Sequence, residues 1–318
     1  SCAVSERCTG VRSSQRNLEE ESVPSTEHER FVEMMTSIPR RDDLPLQEQR
    51  DNYAAILAAN PLPEDVEIRS VEVGAVSADW VDPPGPRRDR VTLYLHGGGY
   101  VIGSSTAYHE FGARLAGALD SRVLLLDYRL APECPFPAAV DDAVAAYRYL
   151  LEESAGPGRV VIAGDSAGGG LTLATLARLR DEGEALPAAG ICFSPWTDLE
   201  ATGDSHRPGA VDDPLVQVDG LRQMARLYAE GNLRHPLASP LHAEFQGFPP
   251  LHVEVGTREV LLDDARRVVE KARRSGVETS SFEAEGLIHV WPVLMAGAPE
   301  SAESLERVRA FLDRVMPG

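Results

Sequence analysis

Eight short runs, most of them apolar and β-branched, punctuate the chain at 66–73, 76–81, 91–95, 123–127, 160–163, 190–193, 251–255 and 279–283. Their length and their Gly/Pro/Asp boundaries predict strands. Pro83-Pro84-Gly85-Pro86 reads as the turn between the second and third. From the third strand onward, helix-periodic segments alternate with the strands. Val140, Val144, Tyr147 and Leu151, for instance, fall on one helical face. Alternation of this kind predicts an α/β fold with a mostly parallel, doubly wound sheet. Two helices precede any strand. Phe31, Met34, Met35 and Ile38 fall at i, i+3, i+4, i+7 before Pro39, and a second helix fits 46–59 before Asn60-Pro61. Residues 1–26 are polar without a period and are expected to be disordered.

One stretch interrupts the alternation. Nearly sixty residues separate the strands at 190–193 and 251–255. They hold a loop at 197–214 and a helix with Leu221, Met224, Ala225 and Tyr228 on one stripe, with Asp219 as its expected N-cap and Gly231 as its stop. An insertion of this length after a sheet strand suits a cap. The expected organisation is therefore an N-terminal helical part of the cap at 27–60 and a sheet domain at 61–318 that carries the cap insertion at about 197–235.

Composition narrows the function classes. Of 318 residues, 43% are hydrophobic and 25% charged, as in a globular protein, and no run of about eighteen apolar residues offers a membrane span. Ser1-Cys2-Ala3-Val4-Ser5-Glu6-Arg7 lacks the apolar core of a secretory signal. The cysteines at 2, 8, 134 and 192 have no metal spacing, and a reduced cytoplasmic protein is the expectation. The net charge of −19 repels phosphate backbones and anionic bilayers, which argues against nucleic acid or membrane as partners.

The chemistry centres on Gly164-Asp165-Ser166-Ala167-Gly168, between a predicted strand and a predicted helix. G-x-S-x-G at a strand–turn–helix junction is a nucleophile elbow, although the same turn could use its serine merely to cap the helix. His96-Gly97-Gly98-Gly99-Tyr100 follows another strand, and its glycines can turn main-chain N–H groups toward a carbonyl oxygen. A base must follow the serine in sequence. Of the candidates, His206, His235 and His242 lie in the insertion or just after it, His252 lies inside a strand, and His289 lies just past the last strand, where such a fold keeps its base. For the orienting acid three carboxylates compete in the loop after 251–255: Glu259, Asp263 and Asp264. The two aspartates directly precede a helix and suit its N-cap or first turn. Glu259 is assigned as the acid, with Asp263 as the alternative. Tyr100, Trp196 and Tyr228 are candidates to line an acyl pocket, or equally for core packing.

These motifs carry a resemblance. HGGGY at 96–100, DYRLAPE at 127–133, GDSAGGG at 164–170, SPWTD at 194–198 and ASPL at 238–241 occur in the order and at the spacing of the bacterial hormone-sensitive-lipase-like esterases, and the chain resembles that family from about residue 60 onward. The resemblance implies an α/β-hydrolase fold with a helical cap built from the N-terminus and the insertion. It implies hydrolysis of short-chain, small-molecule carboxylic esters through an acyl-enzyme, with no metal or organic cofactor. It assigns Ser166, a carboxylate near 259 and His289 to a triad, and the N–H groups of Gly98, Gly99 and Ala167 to an oxyanion hole. Glu259 stands where the family usually has aspartate. The resemblance also suggests a homodimer through an edge strand. An amidase, lactonase or thioesterase would use the same machinery. A non-catalytic ligand-binding protein is the contrasting class, since plant gibberellin receptors are similar to this family but lack the histidine; His289 argues against it here.

Overall fold

One eight-stranded sheet organises the molecule, and its strand order is β1-β2-β4-β3-β5-β6-β7-β8. The computed structural model describes residues 24–38, 44–83, 89–153 and 156–317. The strands are β1 Glu67–Val73, β2 Val76–Asp82, β3 Val91–Leu95, β4 Arg122–Leu126, β5 Val160–Asp165, β6 Ala189–Phe193, β7 Leu251–Gly256 and β8 Thr279–Ala284. β1 and β2 pair antiparallel, as do β2 and β4, and the remaining pairs are parallel. The expected disorder of residues 1–26 concerns almost entirely residues outside the described ones, as do Cys2, Cys8, Pro39 and most of the turn at 83–86.

Nine α-helices occur among the described residues: α1 Thr26–Ser37, α2 Leu46–Leu57, α3 His109–Leu119, α4 Ala138–Glu152, α5 Ala167–Asp181, α6 Val218–Ala229, α7 Leu262–Arg274, α8 Trp291–Leu294 and α9 Pro299–Val315. The period-2 alternation of the strands sorts side chains to two faces. Leu93, Leu95, Val160 and Ile162 join a core shared with α4, α5 and α7. Tyr94, Val161 and Ala163 join a second core with α3 and α9. Both faces of the central strands are therefore covered, which is why β5 and β6 are buried at every position.

The parallel register brings four strand ends to one edge. Leu95 lies opposite Gly164, Asp165 opposite Phe193, and Phe193 opposite Glu254. The loops leaving β3, β5, β6 and β7 thus emerge side by side, the usual place for a site in an open parallel sheet.

Two local expectations are corrected. Asp219 is not the cap of α6: Gln217 is the last extended residue, and Asp219 sits inside the first turn, where the helix dipole still favours its charge. Asp263 and Asp264 do occupy the first turn of α7, one of the two places expected for them, behind Leu261 at the cap position. The stripe of α1 also behaves differently from a core face. His28 and Val32 are the buried residues of this helix, while Met34 and Ile38 are about half exposed. Phe31, Met34, Met35 and Ile38 face a cavity instead.

Candidate active site

Ser166 occupies the turn between β5 and α5 with φ 53° and ψ −120°, a conformation that costs a non-glycine residue energy. Main-chain bonds hold it there. Its N–H donates to Phe193 O at 2.8 Å, and its carbonyl accepts from Gly170 N at 3.1 Å and Trp196 N at 2.9 Å. Close approach explains the flanking glycines: a Cβ at Gly164 would lie 2.3 Å from Gly168 O, and one at Gly168 would lie 1.9 Å from Leu95 O. Although Ser166 takes the cap position of α5, its side chain makes no capping hydrogen bond. It lines the cavity that α1 faces, so the helix-capping reading of this serine does not hold.

The glycine run after β3 faces the same cavity through Gly98 and Gly99, whose φ values are +111° and +63°. The N–H of Gly97 is already engaged by Asp165 Oδ1 at 2.9 Å and by the Tyr108 hydroxyl at 3.1 Å. Gly98 and Gly99 are thus the next donors along the loop. Ala167 begins α5, where N–H groups have no acceptor within the helix.

Asp165 was not singled out from the sequence. It is fully buried and accepts from the hydroxyls of Tyr94 at 2.7 Å and Tyr108 at 2.9 Å, besides Gly97. Burial pushes its pKa up to about 6 against the lowering effect of these donors. Burial likewise raises the phenols of Tyr53, Tyr94 and Tyr108, which stay protonated as donors. The sequence signal was present: a carboxylate closing an otherwise apolar buried strand must find donors.

His289 Nδ1 lies 2.7 Å from Glu259 Oε2. Both residues are buried, and His289 lines the same cavity as Ser166. The second oxygen of Glu259 accepts from Ser194 Oγ at 2.8 Å and Gly256 N at 2.5 Å. Ser194 Oγ in turn accepts from Val290 N at 3.2 Å. Ser194 therefore ties the acid to the residue after the histidine, a role that its place in the SPWTD motif did not reveal. With Nδ1 committed to Glu259, Nε2 is the imidazole nitrogen available to another partner.

Burial pulls the His289 pKa down, but the hydrogen-bonded charge of Glu259 and the more distant Asp213 and Asp165 outweigh it, so the pKa lies above the ordinary histidine value. A base must be neutral to accept a proton, so an activity that uses His289 as its base is expected to fall as pH falls through that raised value. The acid limb of kcat/KM is accordingly expected above about pH 6.5, the midpoint of an unperturbed histidine. A pH–rate profile with a limb below pH 6 would contradict this.

The competing carboxylates and histidines are engaged elsewhere. Asp264 Oδ2 accepts from Thr197 N at 2.8 Å and Asp198 N at 2.9 Å, and Oδ1 pairs with Arg267 at 2.9 Å. Burial pushes its pKa up to about 7. Asp263 accepts from Ser205 N at 2.9 Å. His252 pairs with Glu254 at 3.0 Å, and buried His206 lies 3.7 Å from Asp264. Asp198, Glu200 and His242 bring ligand-type atoms within 4.8 Å of one another, but Asp198 is already held by Arg267 at 3.0 Å and by Thr202. Tyr100, Trp196 and Tyr228 are not among the residues facing the cavity. They are fully buried, with Tyr100 stacked on Tyr228 at 3.7 Å between ring centroids and Trp196 at 6.1 Å from Tyr100, so core packing accounts for all three.

The cavity measures about 1110 Å³ and is walled by α1, α2 and α6 opposite Ser166 and His289. Its lining is mainly apolar, with Phe31, Met35, Ile56, Leu221, Met224 and Leu294 contributing. Met224 packs against the glycine run so closely that a Cβ at Gly99 would lie 2.1 Å from its sulfur.

Over residues 92–293 the chain matches a family described by the alpha/beta hydrolase fold. It is similar to an acetyl-hydrolase of Streptomyces hygroscopicus, 47% identical over 244 residues that make up 76% of this chain and 81% of that relative. It is similar to an esterase of Acinetobacter venetianus, 30% identical over 263 residues, 82% of this chain and 86% of that protein. Among solved structures, an esterase from the bacterial hormone-sensitive lipase family has a TM-score of 0.88 at 44% identity, covering 92% of this chain and 99% of the other. An esterase/lipase from an uncultured bacterium has a TM-score of 0.87 at 39% identity, covering 92% and 100%.

Proposed function

Because the chain belongs to the bacterial hormone-sensitive lipase family of α/β-hydrolases, it is a carboxylic ester hydrolase, and we propose that it acts as a serine esterase on short-chain esters through an acyl-enzyme. The observation that carries this reading is the 2.7 Å contact between His289 Nδ1 and Glu259, with His289 and Ser166 lining one cavity. His289 Nε2 removes the Ser166 hydroxyl proton as Oγ attacks the ester carbonyl. Glu259 fixes the tautomer and stabilises the imidazolium. The N–H groups of Gly98, Gly99 and Ala167 hold the developing oxyanion. Collapse expels the alcohol with the proton from His289, and water then repeats the sequence on the acyl group.

In this reading α1, α2 and α6 form the cap that sets substrate size. The lining supports small or medium apolar acyl groups, and p-nitrophenyl esters from C2 to C8 are expected to turn over fastest. A panel of rising chain length checks this, with mass spectrometry of the trapped acyl-enzyme at Ser166 as the second readout. Faster hydrolysis of emulsified long-chain triglyceride than of soluble butyrate would contradict it.

No helix among the described residues is long and apolar enough to cross a membrane. The scattered spacing of the four cysteines in the sequence supports a reducing, cytoplasmic setting. We take the partners to be small-molecule esters rather than nucleic acid, with β8, the last strand in the sheet, as the edge for a homodimer.

A further inference from the structure

Helix α2 grips the glycine loop at both ends. Arg50 Nε donates to Val101 O at 3.0 Å, and the same guanidinium reaches Ala131 O at 3.1 Å and both oxygens of Glu133 at 2.8 and 2.7 Å. Three residues further along α2, the hydroxyl of Tyr53 lies 2.8 Å from the hydroxyl of Tyr108. Residues at i and i+3 share one helix face, so a single face of α2 carries both contacts.

The proton inventory at Tyr108 fixes the direction of this chain. A phenol has one proton to donate and two lone pairs to accept with. Tyr108 donates to Asp165 Oδ2 at 2.9 Å and accepts from Gly97 N at 3.1 Å. Tyr53 must then be the donor in the 2.8 Å contact, and the Tyr108 oxygen is saturated. Asp165 Oδ1 also accepts from Gly97 N, at 2.9 Å. The line runs Tyr53, Tyr108, Asp165 and Gly97, and it ends one residue before the nucleophile on one branch and one residue before Gly98 on the other. Tyr53 itself lines the cavity, so whatever lies against α2 bears on this line directly.

We propose that α2 is part of the scaffold of the oxyanion site: Tyr53 and Arg50 are positioning residues that hold the two ends of the 97–101 loop, so that seating of this helix sets the aim of the Gly98 and Gly99 N–H groups. The inference rests on the esterase reading for its kinetic consequence, but not for its structural one. Donors of an oxyanion site stabilise only the charge that develops during reaction. A loop released at one end should therefore cost turnover and leave ground-state binding nearly intact.

The test uses Tyr53→Phe, which removes one hydroxyl and keeps the ring, together with Arg50→Met. With p-nitrophenyl butyrate, kcat is expected to fall by about 5- to 30-fold in each, a fraction of what complete loss of an oxyanion donor costs. KM should stay within about twofold. Inhibition by a trifluoromethyl ketone, whose adduct carries the oxyanion, should weaken by the same factor as kcat/KM. Amide hydrogen exchange across 97–101 should quicken in both variants. A kcat within twofold of wild type, or a raised KM at unchanged kcat, would reduce Tyr53 to a wall of the cavity and overturn the proposal. If the wild-type protein turned over no ester and took no fluorophosphonate label, the esterase reading would fall instead. Exchange would still decide the coupling, since unchanged exchange of 97–101 in Tyr53→Phe refutes it by itself.

Discussion

Ser166→Ala is expected to lower kcat on p-nitrophenyl butyrate by about 10⁴- to 10⁶-fold while the thermal midpoint changes little. The large kinetic loss follows if Ser166 is the proposed nucleophile, since what then remains is the rate that an oxyanion site and substrate binding give to attack by water. The small change in stability follows from how the turn is held. Phe193 O, Gly170 N and Trp196 N bond the backbone of residue 166 and not its hydroxyl. Alanine must adopt the same φ of 53° at a similar cost, and the hydroxyl makes no capping bond that would be lost. The measurement is a kinetic and calorimetric comparison of the two proteins. A folded Ser166→Ala protein with wild-type turnover would remove Ser166 from the mechanism.

The second large effect concerns the acid. Glu259→Gln is expected to lower kcat by about 10³- to 10⁴-fold with only a modest change in KM. The side-chain oxygen of glutamine can still accept from Ser194 Oγ and Gly256 N, as Glu259 Oε1 does. Its amide nitrogen then faces His289 Nδ1 and donates to it. That bond selects the tautomer with its proton on Nε2, the atom that should accept the proton of Ser166. The substitution keeps the shape and inverts the polarity of one contact. Asp263→Asn provides the contrast. It weakens the bond from Ser205 N at 2.9 Å, and kcat should stay within about threefold while the thermal midpoint falls by about 2 °C. The opposite pattern would transfer the role of acid to Asp263.

Much of the fold could be read from the sequence because the sheet is buried on both faces, which writes its strands as apolar runs. Each of the eight runs lies within two residues of an observed strand. The exception in length is β5, expected to stop at Ala163. Gly164 and Asp165 have turn propensities, yet they continue the ladder opposite Cys192 and Phe193, because the neighbouring strand and not local preference decides where pairing ends. At the site, residues set by chain order and strand position could be read, and residues set by side-chain direction could not. The contact between Glu259 and His289, 30 residues apart, follows from one helix and one strand between two adjacent loops. Tyr100, inside a motif, and Tyr228, on an apolar stripe, suit a pocket and a core equally well in the sequence. Which way each ring turns depends on a φ of 64° at Tyr100 and on the partner it stacks against, neither of which has a one-dimensional signature. The line from Tyr53 through Tyr108 to Asp165 joins positions up to 112 residues apart in a chain whose tyrosines look alike in one dimension.

Four non-glycine residues close to this site hold a positive φ: Tyr100, Ser166, Ser194 and Val290, at 64°, 53°, 46° and 48°. Each costs about 1–3 kcal/mol, and for a β-branched residue such as Val290 the conformation is rarer still. Together they reach about 4–12 kcal/mol, the scale of the whole net stability of a folded domain. The consequence reaches mutational robustness. A protein that keeps so much strain in one place has that much less margin to absorb neutral substitutions elsewhere. Its hydrophobic cores must therefore be well packed, and drift in them is filtered by the site they support. Selection for heat tolerance alone would reach these four positions early, since relaxing any one of them gains stability at once. Such a history would yield a sturdier sheet with a blunted serine.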